Sequence, residues 1–134
     1  MTKKINYIYT TGKRKNSSAR VRLFKGKGEN TVNAMPVEKY FPGKISETIW
    51  QKPFALTQTA EKYYFSAKVV GGGKAGQLVA LVHGLARALA KASPEKFKSP
   101  LKKFGLLTRD ARARQRRMVG MGGKSRRQKQ SPKR

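Results

Sequence analysis

The C-terminal stretch 111–134 constrains this chain most: its 24 residues hold ten Lys and Arg, no carboxylate and no aromatic side chain. Its apolar residues are Ala111, Ala113, Met118, Val119 and Met121. Burying so little surface does not offset the entropy of ordering, so an extended tail that orders only when bound is expected. Fully stretched, it would span up to roughly 80 Å. The rest of the chain offers it no counter-charge. All six carboxylates (Glu29, Glu38, Glu47, Glu61, Glu95 and Asp110) lie in residues 29–110, beside thirteen Lys and Arg. Residues 1–28 carry nine more cations and no acid, bringing the 134-residue chain to a formal net charge of +26. Such a charge weakens a lone compact state by self-repulsion, and a dense polyanion, nucleic acid first, relieves it.

Other classes fall away quickly. The chain has no cysteine, which excludes a disulfide framework, a thiolate metal site and a Cys nucleophile, and fits a reducing compartment. No apolar run approaches the roughly 20 residues of a membrane span. Met1-Thr2-Lys3-Lys4-Ile5 is not followed by the apolar region of a signal peptide. Hydrophobic residues make up 37% of the chain, below the globular norm of roughly 45–50%, so part of the chain is expected to fold, as one domain over 1–110, and part, the tail 111–134, is not.

Within the domain the pattern predicts a strand from Lys4 to Thr10, ending at Gly12, and a basic turn at Lys13-Arg14-Lys15-Asn16. From Ser17 to Phe24 the alternation is clean: Ala19, Val21 and Leu23 on one face, Arg20 and Arg22 on the other. After a Gly-containing turn at 25–28, Thr31-Val32-Asn33 reads as a short strand paired with its predecessor, and Pro36 opens a short helix to Phe41. Ser46 to Leu56 has helical spacing interrupted by Pro53. Tyr63 to Val70 is β-branched and aromatic, a strong strand. Gln77 to Ala92 is the clearest helix, with Leu78, Leu81, Val82, Leu85 and Leu89 in one stripe and His83, Arg87 and Lys91 opposite. Ser93-Pro94 caps a last helix that reaches Phe104 and stops at Gly105, with Pro100 as a possible break. The fold class expected is α+β: a two-layer domain with a three- to four-stranded sheet covered by helices on one face, plus the long extended basic tail.

Several groups invite a chemical reading, each beside a plainer one. Gly71-Gly72-Gly73-Lys74 joins a strand to a helix, where the backbone and the positive helix end can meet phosphate; the plain reading is a flexible connector. A Walker nucleotide loop fails on spacing both at Gly73-Lys74 and at Gly123-Lys124-Ser125. His83 is the one histidine; it has no partners for a metal or a triad and reads as a surface or RNA-facing side chain. Asp110, between Arg109 and Arg112, reads as a salt bridge or cap. Lys13, Arg14 and Lys15 with Arg20 and Arg22 form a cationic edge; a solvated face is the usual meaning, but no acid compensates it over 28 residues. In the tail, Arg112, Arg114, Arg116, Arg117, Lys124, Arg126, Arg127 and Lys129 are the RNA-contact candidates. Arg126-Arg127-Gln128-Lys129 could also serve as a localisation signal or bind an anionic membrane, although insertion needs an apolar face that the tail lacks.

Taken together, Gly71-Gly72-Gly73, Gly76-Gln77, His83-Gly84-Leu85-Ala86-Arg87-Ala88-Leu89, Leu106-Leu107-Thr108-Arg109-Asp110 and the final Lys133-Arg134 resemble the family of universal small-subunit ribosomal protein number nine, in its bacterial or organellar form. Thr11-Gly12-Lys13-Arg14-Lys15 with Ser18-Ala19-Arg20-Val21 is similar to that family's first hairpin, and Asn33-Ala34-Met35-Pro36 with Tyr40-Phe41 to the next segment. The resemblance implies an α+β domain bound to ribosomal RNA in the head of the small subunit, beside other head proteins, in a cytoplasmic or organellar ribosome. It implies a tail that threads toward the peptidyl-tRNA site, with Lys133 and Arg134 contacting tRNA, and with the tail arginines and Lys13, Arg14 and Lys15 holding ribosomal RNA. The chain departs from the family pattern at Ser131-Pro132, where Phe-Ser is usual, at Gln115, where an acid is often seen, and at Val82, where Arg is usual. Pro132 fixes φ and removes a backbone donor.

The function expected is structural and electrostatic, with no enzymatic activity, no cofactor, no metal and no membrane partner. The domain would recognise folded RNA by shape and phosphate contacts; the tail would neutralise phosphates in crevices between RNA helices, releasing counterions as it orders. A histone-like DNA-condensing protein would also need a basic tail, but would bind duplex DNA without preference and would not sediment with ribosomes. A phosphate-handling enzyme built on Gly71–Lys74 would need acidic metal ligands near the loop, and no motif selects any.

Overall fold

The computed structural model describes residues 7–122 and residue 128. Five strands and four helices form two layers. In chain order they are β1 (Tyr7–Arg14), β2 (Ser17–Lys25), β3 (Thr31–Val32), β4 (Met35–Pro36), α1 (Val37–Tyr40), α2 (Lys44–Thr57), β5 (Tyr63–Val70), α3 (Lys74–Ala92) and α4 (Pro94–Lys103). The sheet order is β1-β2-β5-β3-β4, antiparallel except for the β3–β5 pair. The α+β, two-layer expectation holds, with one strand more than the pattern suggested. No helix among the described residues is long and apolar enough to cross a membrane.

Alternation decides which face carries the helices. Ala19, Val21 and Leu23 of β2 and Phe65, Ala67 and Val69 of β5 point inward and are buried. The leucine stripe of α3 lies against them, and α3 packs chiefly on β1 and β2. At the other end of the core, Phe65 stacks on Phe54 of α2 at 6.0 Å and meets Trp50 edge-on.

Several expectations need correction. β1 runs on through Lys13 and Arg14, because it pairs with β2 as far as Arg14–Ser17; the turn is only Lys15-Asn16, with Lys15 at φ 53°. Gly12 lies inside the strand rather than at its end. A Cβ there would land on the Ala80 carbonyl and the Gly84 backbone, so glycine is what lets α3 lie close on β1. β3 pairs with β5, not β2. The eight-residue β5 covers β2 from Ser18 to Lys25 and leaves β3 only its far edge. Asparagine side chains extend that short ladder: Asn30 accepts from Phe65 N–H, and Asn33 both accepts from and donates to the Val69 backbone.

Pro53 and Pro100 lie within α2 and α4 without ending them. α3 begins three residues earlier than its apolar stripe implies, with Gly73 as N-cap. Ser93 occupies the N-cap of α4 and Pro94 its first turn, although the serine hydroxyl makes no capping bond. α4 stops in a Schellman turn: Gly105 at φ 73°, its N–H on Lys102 O, and Leu106 N–H on Leu101 O.

Candidate nucleic-acid interface

The segment leaving α4 runs back across the domain to the β1–β2 turn. Leu106 and Leu107 pack against the core. The Leu107 carbonyl accepts from His83 Nε2 at 3.3 Å. That oxygen can only accept, so Nε2 carries the proton and Nδ1 holds the lone pair, buried with no partner among the described residues. His83 is only 9% exposed, which corrects its reading as an outward side chain: the 105–108 segment covers the α3 face it shares with Arg87. Burial, with Arg87 and Arg109 nearby, lowers its pKa, against the opposing effect of the Leu107 hydrogen bond.

Asp110 then ties the segment down. Its carboxylate accepts from Arg112 Nε at 3.0 Å, from Arg112 Nη2 at 2.8 Å and from the Arg112 backbone N–H at 3.1 Å. Arg14 Nη1 stands 3.5 Å from the same carboxylate and donates to the Arg112 carbonyl. The Arg112 hydrogen bonds hold the Asp110 carboxyl well below the usual carboxylate range. The salt-bridge reading of Asp110 is thus correct for Arg112 and extends to Arg14.

Around this knot lies a basin of about 750 Å³ whose lining includes Arg14, Lys15, Arg112, Arg114, Arg116 and Arg117 and no acid. The structure therefore brings the hairpin turn and the start of the tail to one place. Residues 111–117 are exposed and outside any helix or strand, and Met118–Met121 forms a turn. Lys13 projects from β1 nearby, exposed. Arg87, exposed on α3, donates to the Thr11 carbonyl. Arg109 is exposed and close enough to His83 to shift it.

Two other groups are not part of that basin's lining. Gly71 and Gly72 have φ of 79° and 59° and press on the hairpin, where a Cβ would meet Asn16 O or Ser17 Oγ. The Gly71 carbonyl accepts from Ser17 Oγ and Gln77 Nε2, each at 3.0 Å, so packing accounts for these two glycines. Gly73 is open, and Lys74 Nζ lies 5.3 Å over the Tyr40 ring. Arg20 and Arg22 lie on the outward sheet face, away from the helices. Lys124, Arg126, Arg127, Lys129, Lys133 and Arg134 fall outside the described residues.

Sequence reasoning missed Tyr9 and Lys68, which share that outward face with Arg22 and Arg20. Period-two spacing in each strand was visible; the register that sets Tyr9 beside Arg22 was not. Among the described residues no three His, Cys, Asp or Glu side chains gather as a metal site.

Comparison with known proteins decides the family. The family model described as ribosomal protein S9/S16 matches residues 12–134. The chain belongs to that family. It is 48% identical over 118 residues to the small ribosomal subunit protein uS9 of Maridesulfovibrio salexigens, covering 88% of this chain and 90% of that protein. It is 47% identical over 116 residues to the uS9 protein of Desulfotalea psychrophila, covering 87% and 88%. As a ribosomal protein S9/S16 family member it has a structural role in the ribosome and is not an enzyme. The arginine knot at Asp110 and the glycine contacts of β1 and α3 are ion-pair and packing contacts of the fold.

Proposed function

We propose that the chain is a constituent of the small-subunit head that holds ribosomal RNA through phosphate and shape contacts, and that its tail reaches the peptidyl-site tRNA. The observation that supports this most is the basin where the β1–β2 turn and the start of the tail meet, lined by six cations and no acid. Asp110 beside it is already shared between Arg112 and Arg14, so the remaining charge calls for phosphate. Guanidinium groups take phosphate oxygens bidentately. Arg87, Arg109, Lys13 and the uncapped start of α3 at Gly73-Lys74 would extend the same contact, and the tail beyond would order on RNA.

Salt dependence tests it. Each phosphate contact contributes roughly 0.7–0.9 to the log–log slope of RNA affinity against salt. Deleting 111–134 is expected to flatten that slope by several units; an unchanged slope removes the tail from the interface. Deleting only Ser131–Arg134 is expected to weaken peptidyl-site tRNA binding while the subunit still assembles. Equal tRNA affinity in the truncated ribosome would show that Lys133 and Arg134 do not hold it.

A further inference from the structure

The outward face of the sheet has a chemistry that the tail lacks. Register places its side chains in rows across three strands: Tyr7, Phe24 and Tyr64; then Tyr9, Arg22 and Ser66; then Thr11, Arg20 and Lys68. Rows lie two residues, about 7 Å, apart. The aromatic row is packed, with Tyr7–Phe24 centroids at 5.7 Å and Phe24–Tyr64 stacked at 5.0 Å. Arg22 is held 5.3 Å over the Tyr7 ring, so its guanidinium is already aimed and loses little freedom on binding. Tyr9 is different: 44% exposed, it forms no ring pair among the described residues.

Between Tyr9 and the Asn33-Ala34 corner lies a shallow basin of about 590 Å³, lined also by Arg20, Arg22, Ser66 and Lys68, with no acid in its lining. The far wall is fixed, because both polar atoms of the Asn33 amide are bonded to the Val69 backbone. A free ring beside two guanidinium groups and an ammonium fits an unpaired base with its flanking phosphates. A duplex keeps its base faces inside the stack and would leave the ring unused. A protein partner would have to bring acids to three cations at once. We infer that the open face of the sheet binds unpaired nucleotides of RNA, one base stacked on Tyr9 and the adjoining phosphates held by Arg20, Arg22 and Lys68.

This rests on the RNA-binding reading above and narrows it at this face from helix backbone to unpaired strand. The test uses the full chain and two probes, an unstructured ten-nucleotide RNA and a duplex of equal length, at several salt concentrations. Tyr9→Ala is expected to weaken single-strand binding about fivefold or more at unchanged salt slope, while Tyr9→Phe keeps it. Arg20→Gln is expected to reduce the single-strand slope by roughly 0.7. Ser66 is exposed, so Ser66→Glu leaves the core intact and should weaken single-strand binding at least as much as Tyr9→Ala. Duplex affinity should be the same in Tyr9→Ala and the wild type. Equal single-strand affinity in Tyr9→Ala and the wild type, or an equal loss on the duplex, overturns the site while leaving RNA binding as such in place. A wild-type chain that binds neither probe overturns both readings. In assembled small subunits, a photo-crosslinker at position 9 is expected to capture RNA; capture of protein alone overturns the assignment.

Discussion

At His83 the imidazole is enclosed, and its proton is committed to the Leu107 carbonyl. Burial holds its pKa below the ordinary 6.5, with Arg87 and Arg109 adding to the shift. The unfolded chain therefore takes up a proton before the folded one does. The stability linked to His83 is complete above pH 6.5 and is lost as the pH falls below it. The melting temperature is expected to drop between pH 7 and pH 5, and to drop less in His83→Gln; equal drops would show that the ring does not control it. Asp110, held far below the usual carboxylate range by Arg112, stays ionised throughout that window. A single histidine with cations at i+4 and i+8 reads as a solvated face, and the helical period was right that the three share one. It could not say how many faces of α3 would be covered.

At the scale of elements, α3 lies tight on β1 and β2. A Cβ on Gly84 would meet Val21 Cγ2 of β2, and one on Gly12 of β1 would meet α3 backbone that cannot rotate away. The buried Thr10 hydroxyl donates to the Gly84 carbonyl at 2.8 Å, fixing the helix in register. Gly12→Ala is expected to destabilise the fold by about 2–3 kcal/mol, since the layers must part to admit a methyl group. Unfolding followed by the fluorescence of Trp50, the one tryptophan, measures it; a loss under about 0.5 kcal/mol would mean the layers give more easily than their packing implies. Elements with long periodic signals were legible: β5 runs from Tyr63 to Val70 as the pattern predicted, and every leucine of the α3 stripe is buried. The partner of β3 was not. Two residues cannot declare an edge, and the decisive bonds come from the side chains of Asn30 and Asn33. The candidate interface divides the same way: its cations were visible one by one, but their meeting depends on a Schellman turn and a path across α3 that no local pattern encodes.

For the whole molecule, a net charge of +26 is a standing stress on the folded state. Screening should relieve it. The melting temperature of the free protein is expected to rise as monovalent salt increases from 10 to 300 mM and to rise further with short RNA, which binds the native state. A melting temperature indifferent to both would mean that the cations are already far enough apart to ignore one another. Charge segregation, with the acids confined to residues 29–110, was readable at once and pointed to a polyanion. Family membership then narrowed the setting to the ribosome.

The anchoring of Arg112 to Asp110 and Arg14 has a kinetic consequence. Whatever follows it is tethered at a defined point beside the hairpin. On the RNA-binding reading proposed above, docking of the domain would make each later encounter between the tethered strand and RNA intramolecular, at an effective concentration on the order of millimolar. The Arg14–Asp110 pair thus acts as a cleat on a mooring line: it adds little hold of its own, but it decides which stretch of quay the rope can reach.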